Sequence, residues 1–528
     1  LGGLVAEDSK KGRVGRRLFL KAAAGVAGIV AAGSVPYFWK RIAGRGEDVF
    51  LIVADAMRSD IVGKVVNGRE IVPSINALAA RATHFADAFA ACSWTKPSVA
   101  SILSGTFPPY HGVEKGALTI ARMPTLQSTL KDLGFYTIAI NTNPWLEAEI
   151  GPVPGRESRP SYGFSEGFDF YKTQTEWRGG ARKGLLACAY AYAEHVVDSL
   201  VNVHSALRLE GIGRTFTYLH FMDTHQPWLH SEPTPFTGVF HEKGLLEREG
   251  REEIYKRDLD LVMRMIIGGA PPADEGEIER LRAISFEAAA YLDLHVGRII
   301  SWLGETGRLD RATIILTSDH GDEFFEHGSQ GHGHDQYNES LRVPLVISRR
   351  DIPIGMVRAR VSNVSLLPTL RTWFDVPRAA GRPGAEAQTA VDDLAAFAPG
   401  REGDHAMIYS SLAGDGKVIL PDGRIVLATS GEHLAFDIEK DPGEKSPSPA
   451  PADLVTRLSQ FESFLANCAG RDGVRPALTS YLWQLKTDPV LFERVRAGED
   501  VPYAVVSPLE TQLDAEREEQ LRALGYLH

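Results

Sequence analysis

Asp48-Val49-Phe50-Leu51-Ile52-Val53-Ala54-Asp55 is an unbroken apolar run held between two carboxylates. A run this short, apolar at every position and closed by an acid, reads as a strand covered on both faces, 49–54, with Asp55 at its carboxyl end. Moving outward, β-branched runs recur at 136–141, 215–221, 313–318 and 343–348, and helical periods at 74–82, 97–104, 125–133 and 288–306. Strands alternating with helices predict a doubly wound α/β domain built on a mostly parallel sheet. Such sheets carry their reactive residues at the carboxyl ends of strands, where Asp55, Asp223 and Asp319 stand. The segment 229–279 is charged, Pro- and Gly-containing and weakly periodic, and reads as an insertion over the sheet face and part of a substrate entrance.

From 376 to 404 the chain is rich in Ala, Pro, Gly and Arg, and four short strand-like runs follow at 406–412, 417–420, 424–428 and 433–438. Asp415-Gly416 and Asp422-Gly423 read as turns between them, so a small antiparallel subdomain is expected. A Pro/Ser-rich linker covers 446–451, and helices are expected at 452–466 and 510–524. The expected division is a leader at 1–47, the α/β domain at 48–390, the small subdomain at 391–445 and a helical tail at 446–528.

The 528 residues are 44% hydrophobic and 24% charged, an ordinary globular composition with enough apolar material for a sizeable core. The formal net charge of −11 gives no general attraction to nucleic acid, which is not expected as a partner. Three cysteines, Cys92, Cys188 and Cys468, form no CxxC pair, so neither a disulfide framework nor a thiolate metal site is indicated. The N-terminus departs from the acidic average. Lys10, Lys11, Arg13, Arg16, Arg17 and Lys21 precede an uncharged run, 22–39, closed by Lys40 and Arg41. Arg16-Arg17-Leu18-Phe19-Leu20-Lys21 resembles a twin-arginine export signal read by the twin-arginine translocase. At 1.5 Å per residue the uncharged run spans roughly 27 Å, so 18–39 could equally serve as an uncleaved membrane tether. Both readings place the mature protein outside the cytoplasm.

Three segments concentrate chemically capable side chains. In Trp94-Thr95-Lys96-Pro97-Ser98 a hydroxyl stands at the start of a helix, where free N–H groups favour an anion; the same position suits a helix cap. In Thr317-Ser318-Asp319-His320-Gly321-Asp322-Glu323 carboxylate and imidazole follow a strand, a donor set for a divalent cation: calcium, magnesium, manganese or zinc. Asp223 and His225 in Asp223-Thr224-His225-Gln226-Pro227, with His327, His332 and His334 in a Gly/His-rich loop, form the third.

Taken in order, Asp55, Ser93-Trp94-Thr95-Lys96-Pro97-Ser98, Leu103-Ser104-Gly105, Asp223-Thr224-His225-Gln226-Pro227, Ser318-Asp319-His320-Gly321 and Leu341-Arg342-Val343-Pro344 resemble the sulfatase family of the alkaline phosphatase superfamily. Val364-Ser365-Leu366-Leu367-Pro368-Thr369-Leu370, Phe436-Asp437-Ile438, Asp441-Pro442-Gly443-Glu444 and the closing Leu521-Arg522-Ala523-Leu524-Gly525-Tyr526-Leu527 carry the resemblance to the end of the chain. It implies an alkaline phosphatase-like fold and a metal-held nucleophile that attacks the sulfur or phosphorus of an ester. Carried over by position, it implies that Asp55, Asp319 and His320 bind the cation with Thr95 touching it as nucleophile. His225 and His332 would contact the ester oxygens or protonate the leaving group, Lys96 would add positive charge, and Asp223 would orient His225 or join a second metal site.

Two departures from the family pattern matter. Threonine stands where sulfatases proper carry the cysteine or serine oxidised to formylglycine, and threonine cannot become that aldehyde; Cys92, followed by Ser93-Trp94, is no substitute. Val99 replaces the usual arginine, and Ala56 replaces an acid that many sulfatases use for metal. An unmodified threonine resembles the phosphodiesterase and phosphotransferase branches. The expected activity is therefore metal-dependent hydrolysis of a phosphate ester, above all a phosphodiester, or of a sulfate ester. The alternatives are transfer of a phospho-headgroup to a glycan or lipid, and non-catalytic binding of an anionic glycan or lipid.

Overall fold

The computed structural model describes residues 47–113, 123–146, 163–173, 192–377, 391, 393–394, 397, 399, 405–412, 415–429 and 432–471. The leader with its twin-arginine-like string, and the helix expected at 510–524, lie outside the described residues. No helix among the described residues is long and apolar enough to cross a membrane.

Eight strands form one sheet: β1 (Asp48–Ala54), β2 (Thr83–Phe89), β3 (Tyr136–Asn141), β4 (Phe170–Lys172), β5 (Thr215–Phe221), β6 (Ala312–Thr317), β7 (Arg342–Ser348) and β8 (Gly355–Ser362), in the order β8-β2-β7-β6-β1-β5-β3-β4. All neighbours run parallel except β7, which is antiparallel to both β6 and β2. The sheet is thus the mostly parallel, doubly wound one expected, with β1 at its centre.

Alternation along β1 explains why its sequence is apolar throughout. Val49, Leu51 and Val53 face one side, in a core with Val99, Ala100, Ile102 and Leu103 of α2 (Thr95–Ser104), Leu126 and Leu130 of α3 (Leu126–Asp132), and Leu366, Leu367 and Leu370 of α7 (Leu366–Trp373). Phe50, Ile52 and Ala54 face the other, against Ile75 and Leu78 of α1 (Pro73–Ala79), Val196, Val197 and Leu200 of α4 (Ala193–Leu209), and Leu292, Val296, Ile299 and Leu303 of α6 (Glu275–Glu305). With helices on both faces, neither side chain parity can be polar.

Two expectations need correction. The segment 229–279 is not irregular throughout: it contains α5 (Arg251–Val262), continued by a π-helical turn at Met263–Ile267, and the first residues of α6. Its charged surface masks an apolar stripe, Leu261, Val262, Ile278, Leu281 and Ile284, that packs with Trp228 and Phe324. Asp415-Gly416 is not a turn but the start of a strand, Asp415–Ile419.

A second sheet, β9 (Ile408–Leu412), β10 (Asp415–Ile419), β11 (Arg424–Thr429), β12 (Glu432–Asp437) and β13 (Ser448–Pro449), is an antiparallel meander. One face packs Ile408, Ile419, Ile425 and Phe436 into the main core. The other packs Tyr409, Val418 and Val426 against Leu454, Leu458 and Leu465 of α8 (Ala452–Arg471). A buried ion pair within this second unit, Lys417 Nζ to Glu444 Oε1 at 2.6 Å, reaches the segment before β7 through Asn338: Lys417 Nζ donates to Asn338 Oδ1 at 2.9 Å and the Asn338 N–H donates to Glu444 Oε2 at 2.8 Å.

Candidate active site

Strand register brings the first three site residues together. Val53 pairs with Thr317 on one side and Ala54 with Phe221 on the other, so Asp55, Asp319 and Asp223 leave three adjacent strands at the same end. Asp55, Asp319 and His320 are fully buried, and Asp55 Oδ1, one Asp319 oxygen and His320 Nε2 can converge within 4.8 Å. His320 Nε2 lies 3.6 Å from both Asp55 Oδ1 and Asp319 Oδ2. Its Nδ1 sits 2.8 Å from the Gly321 carbonyl oxygen and donates to it, which leaves Nε2 with its lone pair directed at the carboxylates.

The rest of this shell is fixed by hydrogen bonds. Asp319 Oδ1 accepts from the backbone N–H of His320 at 3.0 Å and of Ala56 at 3.3 Å. Ala56 has φ of 58°, a left-handed conformation that turns its N–H toward Asp319. Asp55 Oδ2 accepts from Asn143 Nδ2 at 2.7 Å and contacts His220 Nε2 at 2.8 Å; the His220 Nδ1 is 2.7 Å from the Tyr218 hydroxyl. Asp55 Oδ1 and Asp319 Oδ2 have no hydrogen-bond partner. Burial works to raise the Asp55 carboxyl, yet His225, His220 and His320 around it hold it below the ordinary carboxylate range. Asp319 moves the other way, pushed up by burial and then by the charge of Asp55. Two buried carboxylates with an orphaned oxygen each, faced by an imidazole nitrogen, are a donor set that fits a divalent cation.

Thr95 opens α2. Trp94 occupies the position before the helix and no side chain caps it, so the capping alternative for Thr95 falls away. The Thr95 Oγ1 instead lies 3.1 Å from His320 Nε2 and 3.5 Å from Asp55 Oδ2. Lys96 is completely buried, its Nζ 5.5 Å from the centroid of the Trp145 ring.

His225 and His332 meet through their Nε2 atoms at 3.2 Å. The His225 Nδ1 is 2.6 Å from the Gln226 carbonyl oxygen, and the His332 Nδ1 is 2.6 Å from Asp322 Oδ1. The centroid of the His332 ring also lies 4.2 Å from that of His320, the rings tilted by 34°, which puts the pair beside the carboxylate cluster. Burial pushes His225 down to about 4.

Three other candidates are placed elsewhere. Asp223 does not hydrogen-bond His225: its Oδ1 accepts from the Ala193 N–H at the start of α4 and contacts His230 Nε2, both at 3.1 Å. His327 stacks on Tyr337 at 3.6 Å, and His334 lies 3.0 Å from Asp335 and 3.3 Å from Glu323. A cleft adjoining the site is lined by Ala56, Arg58, Thr224, Trp228, Arg282 and Phe324, among others, and no residue of 229–279 is among its walls. Sequence reasoning missed His220, Asn143 and Asp322. A signal existed for the first two: His220 is the one imidazole in an otherwise apolar-rich, doubly covered strand, and Asn143 follows the end of β3 by two residues.

The α/β sheet has the alkaline phosphatase-like architecture, and the carboxylates and imidazole gathered at the carboxyl ends of its central strands are a group that could hold a metal ion. A family model described as Sulfatase matches residues 47–376, and the chain belongs to the sulfatase family. It is 36% identical over 118 residues to the multifunctional alkaline phosphatase superfamily protein PehA of Trinickia caryophylli, a match covering 21% of this chain and 23% of that relative's length. An arylsulfatase of Clostridium perfringens is 22% identical over 445 residues, 75% of this chain and 89% of the relative. In fold, the chain is similar to the phosphonate monoester hydrolase of Agrobacterium radiobacter, with a TM-score of 0.58 at 21% identity over 81% of this chain and 96% of that one.

Proposed function

We propose that the protein is a metal-dependent ester hydrolase in which Thr95 is the nucleophile, acting on a phosphate ester, above all a phosphodiester, or on a sulfate ester. One observation carries the reading: the Thr95 Oγ1 lies 3.1 Å from His320 Nε2 and 3.5 Å from Asp55 Oδ2, beside the orphaned donor atoms. Family membership supports ester hydrolysis, as do the relatives named as arylsulfatase and as phosphonate monoester hydrolase.

Asp55, Asp319 and His320 would hold the cation, with Thr95 alongside. When bound, it supplies Lewis-acid polarisation of the ester oxygens and lowers the pKa of a neighbouring hydroxyl. The chain's own residues do the remainder. His220 and Asn143 fix the Asp55 carboxylate, so that its free oxygen points one way. The N-terminus of α2 and the Lys96 ammonium favour the anionic ester beside Thr95. The threonine hydroxyl gives up its proton to solvent and its oxygen forms a bond to phosphorus as the bond to the leaving oxygen breaks; water later cleaves the phospho-threonine, returning the hydroxyl. His225 and His332, facing each other through Nε2 at 3.2 Å, would relay a proton from solvent to the leaving oxygen.

The test is turnover of chromogenic phosphodiester, phosphate monoester and sulfate monoester substrates by metal-reconstituted protein. Thr95→Ala should lower phosphodiester turnover by about 10³-fold or more, while Thr95→Ser keeps most of it. A folded Thr95→Ala protein with wild-type turnover would remove Thr95 from the chemistry.

A further inference from the structure

A second cluster of ligating side chains lies apart from Asp55, Asp319 and His320, in the inserted segment. His241 precedes α5, Asp258 is on α5, and Glu287 is on α6. All three are buried, with 6%, 0% and 5% of their surface exposed. His241 Nε2 lies 3.1 Å from Asp258 Oδ2 and 3.3 Å from Glu287 Oε1, and one ligand atom from each residue falls within 4.8 Å of the others.

As an ion-pair cluster this arrangement is poorly satisfied. Burial works to lower the His241 imidazole, yet Asp258 and Glu287 beside it hold it up at about 9; even so, one N–H cannot be aimed at two carboxylates, and His241 Nε2 makes no directional hydrogen bond to either. Both oxygens of Asp258, a fully buried side chain, also lack one. Glu287 Oε1 accepts from the Gly238 N–H at 2.6 Å, and the His241 carbonyl oxygen accepts from Asn67 Nδ2 at 2.6 Å. The surrounding chain therefore holds the cluster in place without satisfying Asp258. Buried polar atoms left this way are costly unless something else pairs with them.

The spacing identifies what would. Four ligands about 2.0–2.1 Å from an ion at tetrahedral angles stand about 3.3 Å from one another. The two measured separations from His241 Nε2, 3.1 and 3.3 Å, match that edge. Two carboxylates balance the charge of a divalent ion, and the imidazole nitrogen adds borderline softness. Calcium would require six to eight oxygen ligands, more than the three side chains here supply.

We propose that His241, Asp258 and Glu287 form a structural site for zinc, which clamps the inserted segment and α5 onto α6. The site is independent of the ester chemistry proposed above.

The test measures metal content of the full chain after chelator dialysis, reconstitution with Zn2+, and removal of free metal. His241→Gln and Asp258→Asn should each bind one equivalent fewer than wild type. Because either variant could fail to fold, a second measurement uses wild-type protein: X-ray anomalous scattering at the zinc edge should place an ion between the three side chains. Equal metal content in a folded variant, or zinc-loaded crystals without that peak, would overturn the proposal and leave an ion-pair cluster only.

Discussion

Replacing Gly321 with alanine tests how tightly the fold fixes His320. An added Cβ at Gly321 would sit 2.1 Å from the Glu339 carbonyl oxygen, about 1 Å inside the 3.0 Å limit that such contacts respect. That oxygen is backbone, and the Gly321 N–H already donates to the Ser340 carbonyl at 2.8 Å, so the two segments are locked together. Relief must come from moving residues 319–321 or 339–340 by about 1 Å. His320 is the adjacent residue, and its Nδ1 is bonded to the Gly321 carbonyl itself. Overpacking of this size costs about 1–3 kcal/mol of stability. A displacement of about 1 Å at a reacting group costs on the order of 10²-fold in rate. Gly321→Ala should therefore show a lowered urea midpoint and about 100-fold lower kcat/KM on whichever chromogenic ester the wild type turns over. Gly304→Ala is the control: nothing lies within 4 Å of its added Cβ and it sits in α6, so a small gain of about 0.5–1 kcal/mol is expected. A Gly321→Ala protein within about 0.5 kcal/mol of wild type and with undiminished activity would refute the argument that backbone contact there positions His320.

Lys417→Met should destabilise by about 3–5 kcal/mol in urea unfolding, because it leaves the fully buried Glu444 carboxylate without its ammonium; adding Glu444→Gln should recover much of the loss. Burial pushes His111 down to about 3, while Ser101 and the Val113 N–H hydrogen-bond its neutral ring. Below about pH 6.5 the unfolded chain takes up a proton that the folded chain refuses, so stability falls by about 1 kcal/mol per pH unit down to about pH 3. Urea midpoints at pH 7, 6 and 5 should show a shallower decline in His111→Gln than in wild type, and parallel declines would show that His111 is not the group responsible.

The strands legible from sequence were those whose residues form continuous apolar runs. β1, β3 and β5 are covered on both faces, so their apolar runs are continuous and their limits stand out. β2 and β8 were missed because they carry Thr83, His84, Asp87, Arg358 and Arg360 among their apolar residues. Toward the sheet's edge such residues are tolerated: Arg342 Nη2 pairs with Asp87 Oδ1 at 2.7 Å, and Arg360 Nη1 with Glu439 Oε1 at 2.6 Å. The first half of α6 was hidden for a related reason, since a helix needs only one apolar stripe and its other positions are charged.

The sequence by itself determined the parallel α/β class, because strand burial is a local property, and its motifs carried the family resemblance that implies Asp55, Thr95, Asp319 and His320 as a set. It could not determine which side chains would touch. That His220 and Asn143 hold Asp55, that Asp223 turns toward Ala193 and His230, and that His241, Asp258 and Glu287 meet, was decided only when register and helix packing brought distant segments together. Spacing along a chain fixes periodicity within an element, whereas contact between elements depends on crossover and packing geometry that no local pattern carries.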